Sequence, residues 1–196
     1  MKAKLGTLLV VSGPSGSGKT TLCRRASDAG LCVYSISCTT RQPRPGEVNG
    51  VDYHFLSMDE FKAKAAAGEF LEYAEVHGNC YGTLKADIIE LLEQGKTVVM
   101  DIDVQGADSV RACQEPVLLK AYADLYIHVP QEELKNRLCG RQTDSEEVIA
   151  LRLKNAAAED ACLPRYTYCL VSSDREADYA AFTALLKTLS MRVSLL

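Results

Sequence analysis

Thr7-Leu8-Leu9-Val10-Val11 runs through Ser12 into Gly13-Pro14-Ser15-Gly16-Ser17-Gly18-Lys19-Thr20, and this stretch decides the fold. The first part is a short, unbroken apolar run, the pattern of a strand buried on both faces of a parallel sheet. The second part fits G-x-x-x-x-G-K-[ST] and opens a helix-compatible segment over residues 19–29. Glycines let the backbone curl so that successive N–H groups point at phosphate oxygens, and the helix N-terminus adds positive potential. Lys19 would reach the β- and γ-phosphates of a nucleoside triphosphate, and the Thr20 hydroxyl would ligate Mg²⁺. A Gly/Ser turn that happens to precede a lysine is the bland alternative, and the full strand–loop–helix context outweighs it.

Similar apolar runs recur at Thr97-Val98-Val99-Met100, Leu125-Tyr126-Ile127-His128-Val129 and Tyr168-Cys169-Leu170-Val171, each flanked by helix-compatible sequence. Strands alternating with helices predict a three-layer α/β fold with a mostly parallel sheet, the P-loop NTPase architecture. Two regions interrupt the alternation. Residues 35–83 carry Pro43, Pro45, Gly46, Gly50, Gly78 and Gly82 between short β-like pieces and one helix over 58–67, and read as an inserted lobe. Residues 131–160 are helical and charged, with Thr143 and Asp144 three residues before Glu146 and Glu147, a capping-box arrangement for a helix starting near Ser145. Phe182, Leu185, Leu186 and Leu189 form a core-facing stripe on the last helix. One domain is expected, with its core over 1–34, 84–130 and 161–196.

The whole chain has 196 residues, 47% hydrophobic and 24% charged, with 22 Lys+Arg against 26 Asp+Glu for a net charge of −4. A net negative chain is a poor candidate for sequence-independent nucleic-acid binding, which needs Lys and Arg to neutralise phosphates. No run of ~18 apolar residues is present, so no membrane span is expected. Residues 1–11 lead straight into a patterned strand with no cleavage signal, so secretion is not expected. Cysteines at 23, 32, 38, 80, 113, 139, 162 and 169 show no C-x-x-C pair and no His at zinc-site spacing. They read as scattered reduced thiols used as small apolar residues, which favours a cytoplasmic location. His54, His77 and His128 lack partner spacing and read as structural or surface residues.

Asp101-Ile102-Asp103 ends the run Val98–Met100. Carboxylates at the carboxyl end of a parallel strand face the ligand crevice of such sheets, and period-2 alternation would put Asp101 and Asp103 on one side. Asp101 then reads as a holder of magnesium through water. In the lobe, Ser37-Cys38-Thr39-Thr40-Arg41-Gln42-Pro43-Arg44-Pro45-Gly46-Glu47 sets two arginines three apart in a Pro-stiffened segment. Two guanidinium forks converging on one dianion suit a phosphate monoester.

These residues resemble guanylate kinase, the family that phosphorylates GMP with ATP. The resemblance runs from Gly13–Thr20 through Ser37–Glu47, Asn49-Gly50, Asp52-Tyr53 and Glu69-Phe70-Leu71-Glu72. It continues through Gly78–Thr83 and Asp101–Gly106 to Arg137-Leu138, Gly140-Arg141, Ser145–Ile149 and Arg152. It implies that Arg41, Arg44, Tyr53 and Tyr81 hold the GMP phosphate, and that Glu72, Ser37, Thr83 and Asp103 surround the guanine. It implies a lid over 131–160 whose Arg137, Arg141 and Arg152 neutralise the transferring phosphoryl group together with Lys19 and Arg41. ATP with Mg²⁺ would be the donor, and a monomer or weak homo-oligomer the working form. Independently, a carboxylate such as Glu72 can accept both N1–H and N2–H of guanine, whereas adenine would present it with a lone pair. The sequence departs from the family pattern at Gly140-Arg141-Gln142, where Gly-Arg-Gly is usual, and at Cys80-Tyr81, where a double tyrosine is usual. It departs again at Val171-Ser172-Ser173-Asp174, where an asparagine faces the adenine. Two rivals are a scaffold that reuses the groove, opposed by the retention of Lys19, Thr20 and Asp101, and a kinase for another phosphorylated small molecule, opposed by Glu72, Ser37 and Thr83.

Overall fold

The computed structural model describes residues 4–76, 78–140 and 145–196. His77, Arg141, Gln142, Thr143 and Asp144 therefore lie outside the described residues. In chain order the elements are β1 (Thr7–Ser12), α1 (Lys19–Asp28), β2 (Val33–Tyr34), β3 (Cys38–Thr39), β4 (His54–Phe55), α2 (Met58–Ala66), β5 (Phe70–Val76), β6 (Asn79–Leu84) and α3 (Lys85–Glu93). They continue with β7 (Thr97–Asp101), α4 (Val104–Ala112), α5 (Pro116–Ala121), β8 (Tyr122–His128), α6 (Gln131–Cys139), α7 (Glu146–Asp160), β9 (Tyr168–Val171) and α8 (Arg175–Leu189).

The main sheet has the order β2-β7-β1-β8-β9 and every pairing in it is parallel. Leu8 and Val10 of β1 pack with Val98 and Met100 against Ile88 and Leu92 of α3, Val110 of α4 and Leu118 of α5. Leu9 and Val11 point the other way, onto Leu22, Cys23 and Ala26 of α1 and Phe182, Leu186 and Leu189 of α8. The period of two thus feeds both faces of one sheet, which is why its strands read as unbroken apolar runs. Burying each such large side chain contributes ~1.5–3 kcal/mol. Leu185, expected in the α8 stripe, is only partly buried at its edge.

From β1 the chain passes through α1 to β2 on one side of the sheet, and from β7 it crosses to β8 on the other. The carboxyl ends of β1 and β7 therefore flank a point where the winding reverses, the place where open α/β sheets bind ligands. Between β2 and α3 lies a second, four-stranded sheet of order β4-β3-β6-β5, in which β6 runs antiparallel to both β3 and β5. It carries its own small core of Cys38, Phe61 and Phe70, with the two rings stacked at 4.4 Å. A fourth cluster, Val129, Leu134, Leu138 and Ala156, joins α6 to α7. The N-cap of α7 is Ser145, whose hydroxyl accepts from the Val148 N–H.

All eight cysteines are free thiols, but they are not uniformly core residues. Cys23, Cys32 and Cys38 are buried, whereas Cys139 and Cys169 are exposed. Asp124 is a buried carboxylate, 1% exposed, that accepts from Arg111 Nη2 at 2.7 Å, the Tyr122 hydroxyl at 2.8 Å and the Thr167 N–H at 2.7 Å. It ties α4 to β8 and to the segment before β9.

Candidate active site

Three clefts open around the carboxyl ends of the main sheet's strands, the first sharing residues with each of the other two. The first is the loop after β1. Gly13 has φ 144°, and a Cβ there would sit 2.4 Å from the Ile127 carbonyl oxygen of β8, so only glycine fits. Gly18 caps α1 at φ 89°, with no side-chain hydrogen bond to the helix. The first N–H groups of α1 are consequently left for an external acceptor. Lys19 Nζ folds back to the Gly13 and Pro14 carbonyls, and the Ser17 hydroxyl is buried with no protein partner. This cleft, about 430 Å³, is lined by Gly13, Ser15, Gly16, Gly18, Lys19, Thr20, Asp101, Asp103 and Glu159. The Thr20 hydroxyl donates directly to Asp101 Oδ2.

The second cleft, about 200 Å³, lies under the four-stranded sheet and is lined by Arg24, Tyr34, Ser35, Ser37, Asp52, Tyr53, Glu72, Tyr81, Asp101 and Asp103, among others. Glu72, on β5, is 8% exposed, and its Oε1 accepts from the Thr83 hydroxyl of β6 at 2.7 Å. Thr83 Oγ1 is in turn 3.4 Å from Ser37 Oγ, so three of the four side chains expected around the base form one chain of contacts. Burial pushes the Glu72 carboxyl up, and the charge of Asp103 adds to this while Thr83 pulls it back. Gly106 of α4 allows the close approach: a Cβ there would lie 3.3 Å from Glu72 Oε2.

Asp103 differs from expectation in how it is placed. β7 ends at Asp101, and Asp103 is the N-cap of α4, its Oδ1 accepting from the Gly106 N–H at 2.8 Å. A capping role, not strand alternation, turns it toward the same clefts as Asp101. Arg41 and Arg44 do not line the second cleft. Arg41 stands beside it, 5.4 Å from the Tyr53 ring and in a bidentate pair with Glu47, at 3.0 Å and 2.9 Å. The Arg44 side chain is exposed.

The third cleft, about 590 Å³, runs along the other side of the phosphate loop and is lined by Gly16, Ser17, Gly18, Thr21, Arg25, Arg137, Ser173, Asp174 and Asp178, among others. Arg137 of α6 donates to Ser172 Oγ at 3.0 Å and to Glu133 Oε1 at 2.9 Å. The Ser172 hydroxyl in turn donates to Asp178 Oδ2 at 2.6 Å, so the position that departs from the family pattern is engaged in a side-chain network. Arg152 of α7 reaches Ser15 Oγ at 3.3 Å, at the phosphate loop itself.

Sequence reasoning passed over Arg24, Tyr34, Asp52 and Glu159. Arg24 follows Thr20 by one helical turn on α1, and Glu159 follows Arg152 by two turns on α7, so helical phase alone could have found both. Burial raises the Glu159 carboxyl, with the Lys19 charge opposing.

A family model described as "Guanylate kinase" matches residues 5–189. The chain is 45% identical over 172 residues to a guanylate kinase of Fusobacterium nucleatum, covering 88% of this chain and 91% of that one. It is 44% identical over 192 residues to one of Syntrophotalea carbinolica, covering 96% and 89%. A solved guanylate kinase from Anaplasma phagocytophilum superimposes with a TM-score of 0.74 at 30% identity, over 100% of this chain and 92% of that structure. The phosphate loop, the buried carboxylate beside it and these matches lead to one conclusion: the chain belongs to the guanylate kinase family of P-loop kinases, whose activity is the phosphorylation of GMP.

Proposed function

We propose that this chain transfers the γ-phosphoryl group of ATP to the phosphate of GMP, and of dGMP, giving ADP and GDP in purine nucleotide metabolism and GMP recycling. The observation that carries the reading is the buried Glu72 carboxylate, hydrogen-bonded to Thr83 at the end of a cleft that shares Asp101 and Asp103 with the phosphate loop. Glu72 has acceptor capacity left for guanine N1–H and N2–H; Ser37 can turn its hydroxyl from Thr83 to donate to O6, or Thr83 can do so by giving up its bond to Glu72. Asp103 lies beside the same base. Tyr53, Tyr81, Arg41 and Arg44 then take the GMP phosphate.

The backbone of Gly13–Thr20 cradles the donor phosphates, and Lys19 exchanges its two carbonyl partners for them. A phosphate oxygen of GMP attacks the γ-phosphorus as the bond to the β-bridging oxygen breaks, and the electron pair leaves with ADP. The acceptor is already an anion, so no general base is needed. Arg137, Arg141 and Arg152 spread the developing charge, since phosphoryl transfer depends mainly on positioning and electrostatics. In this reading residues 35–83 act as a GMP-binding lobe and 131–160 as a lid on a core of 1–34, 84–130 and 161–196.

Among the described residues no group of three or more His, Cys, Asp or Glu is arranged to hold a metal alone. The touching Thr20 hydroxyl and Asp101 carboxylate are hard oxygen donors of the kind that hold Mg²⁺ jointly with substrate phosphates. Thr20 would bind the ion directly and Asp101 through water, and the ion would neutralise the β- and γ-oxygens. No helix among the described residues is long and apolar enough to cross a membrane. We place the chain in the cytoplasm as a monomer or weak homo-oligomer without nucleic-acid partners, in keeping with its net charge of −4.

The test is turnover of a panel of GMP, dGMP, AMP, UMP and ribose phosphates with ATP in a coupled ADP assay. GMP and dGMP should be the only efficient acceptors; efficient use of AMP, or no turnover of GMP, refutes the reading.

A further inference from the structure

Glu47 belongs to the arginine-bearing loop but has no role in the reading above. Its carboxylate organises that loop: Oε1 accepts from Arg41 Nη2 at 2.9 Å, and Oε2 accepts from Arg41 Nη1 at 3.0 Å and from the Arg44 N–H at 2.7 Å. The two paired side chains are 15% and 19% exposed, while residues 42–46 between them are all exposed. The Gln42 carbonyl also accepts from Arg41 Nη1 at 2.8 Å. The guanidinium also lies over the Tyr53 and Phe55 rings, at 5.4 Å and 5.9 Å.

A guanidinium has two bidentate edges, one formed by Nη1 and Nη2 and one by Nε and Nη2. Glu47 takes the first edge and does not use Nε, so a phosphate can grip the second while the carboxylate stays in place. The same carboxylate fixes the backbone of Arg44, coupling both arginines to one anchor. The anchor also solves an electrostatic problem. The adjoining cleft is lined by Asp52, Glu72, Asp101 and Asp103. An untethered Arg41 would be drawn toward these carboxylates and into the space where the base must sit. We propose that Glu47 is a positioning residue for the acceptor phosphate, holding Arg41 by its terminal edge and Arg44 by its N–H so that both meet the phosphate and stay out of the base pocket. This rests on the reading of the second cleft as the GMP site. Arg41 and the Arg44 N–H also hold the Glu47 carboxyl below the usual glutamate range, so the anchor is charged at neutral pH.

The experiment compares wild type with E47A, E47Q and E47D for GMP KM, ATP KM and kcat, and for inhibition by guanosine, which carries the base but no phosphate. E47A should raise GMP KM about 10- to 100-fold, the scale of a lost charge-assisted contact. ATP KM and the guanosine inhibition constant should stay within about twofold, and E47D should recover part of the loss. E47Q keeps the shape without the charge and should fall between. In a double-mutant cycle, E47A should add little once Arg41 is alanine. Unchanged GMP KM in E47A and E47Q refutes the proposal, as does parallel weakening of guanosine, which would make Glu47 merely structural. If wild type fails to use GMP at all, it is the functional reading that falls.

Discussion

Replacing Glu72 with glutamine changes one atom and two properties, and they should move in opposite directions. In the wild type the carboxylate is 8% exposed and accepts one hydrogen bond, from Thr83 at 2.7 Å. Bound guanine would add two donors to it. An amide keeps one acceptor but turns an N–H toward a guanine donor. Losing a charge-assisted bond costs ~1.5–3 kcal/mol and stranding a buried donor ~1–3 kcal/mol. The sum, roughly 2.5–6 kcal/mol, is about a 10²- to 10⁴-fold weakening of GMP. ATP KM should not move, and the preference for GMP over AMP should narrow, because an amide can face adenine's N1 with a donor. Stability should go the other way. Burial raises the Glu72 carboxyl, so the folded state holds its proton more tightly than the unfolded chain. That group's contribution is therefore present below the ordinary glutamate pKa of ~4.3 and is lost as pH rises through the folded value. E72Q removes this loss, so its melting temperature at neutral pH should equal or exceed wild type. Steady-state kinetics with GMP and AMP, together with thermal unfolding, check both halves. A GMP KM within threefold of wild type refutes the base-reading role; a marked drop in melting temperature refutes the desolvation argument.

Lys19→Ala should lower turnover by at least ~10²-fold, the scale of a lost transition-state donor, while equilibrium dialysis finds GMP binding nearly intact. Gly13→Ala places a Cβ 2.4 Å from the Ile127 carbonyl at a φ of 144°, so it should distort the phosphate loop, raising ATP KM and lowering the melting temperature. Asp124→Ala removes the buried one of Arg111's carboxylate partners, leaving Asp108, and strands the Thr167 N–H; at ~3 kcal/mol for a broken buried pair, the melting temperature should fall by about 6–12 °C with ATP and GMP KM unchanged. Burial raises the Asp124 carboxyl, but Arg111 and Thr167 outweigh it and hold it below the ordinary value. Its stabilisation is thus full above pH ~3.9 and lost as pH falls through the folded pKa, a slope that acid titration of wild type against the variant should reveal.

The central strands β1, β7 and β8 were legible because they are buried on both faces, an environment that an unbroken apolar run satisfies, whereas the edge strand β9 is mostly exposed and β2 has two half-buried residues. The four-stranded sheet was legible only as an interruption. β3 and β4 have two residues each, too short for any periodicity, and their pairing depends on β6 far along the chain. The phosphate loop is a local motif, so its strand–loop–helix setting could be read from local spacing. Asp103 was found for a reason that does not hold: the strand stops at Asp101, and a helix cap turns the side chain into the crevice. The exposed cysteines at 139 and 169 show the same limit, since composition favours burial but cannot say which face of a helix or edge strand a thiol occupies.

The distribution of charge around the acceptor cleft is the part that no local reading could supply. Among the described side chains lining it, four are carboxylates and Arg24 is the one cation, although the expected ligand is an anion. The cations named from the motifs stand outside its lining: Arg41 clamped to Glu47 on the loop after β3, Lys19 at the start of α1, Arg137 on α6 and Arg152 on α7. Each comes from a different element, so their positive field adds up only where those elements approach one another around phosphate. An adenine or pyrimidine nucleotide would bring the same phosphate but leave the Glu72 carboxylate facing a mismatched edge. Recognition of the base and recruitment of the cations are therefore separate demands. A chain that meets both must hold its carboxylates rigidly in the cleft and Arg41, Arg137 and Arg152 outside it until the acceptor arrives.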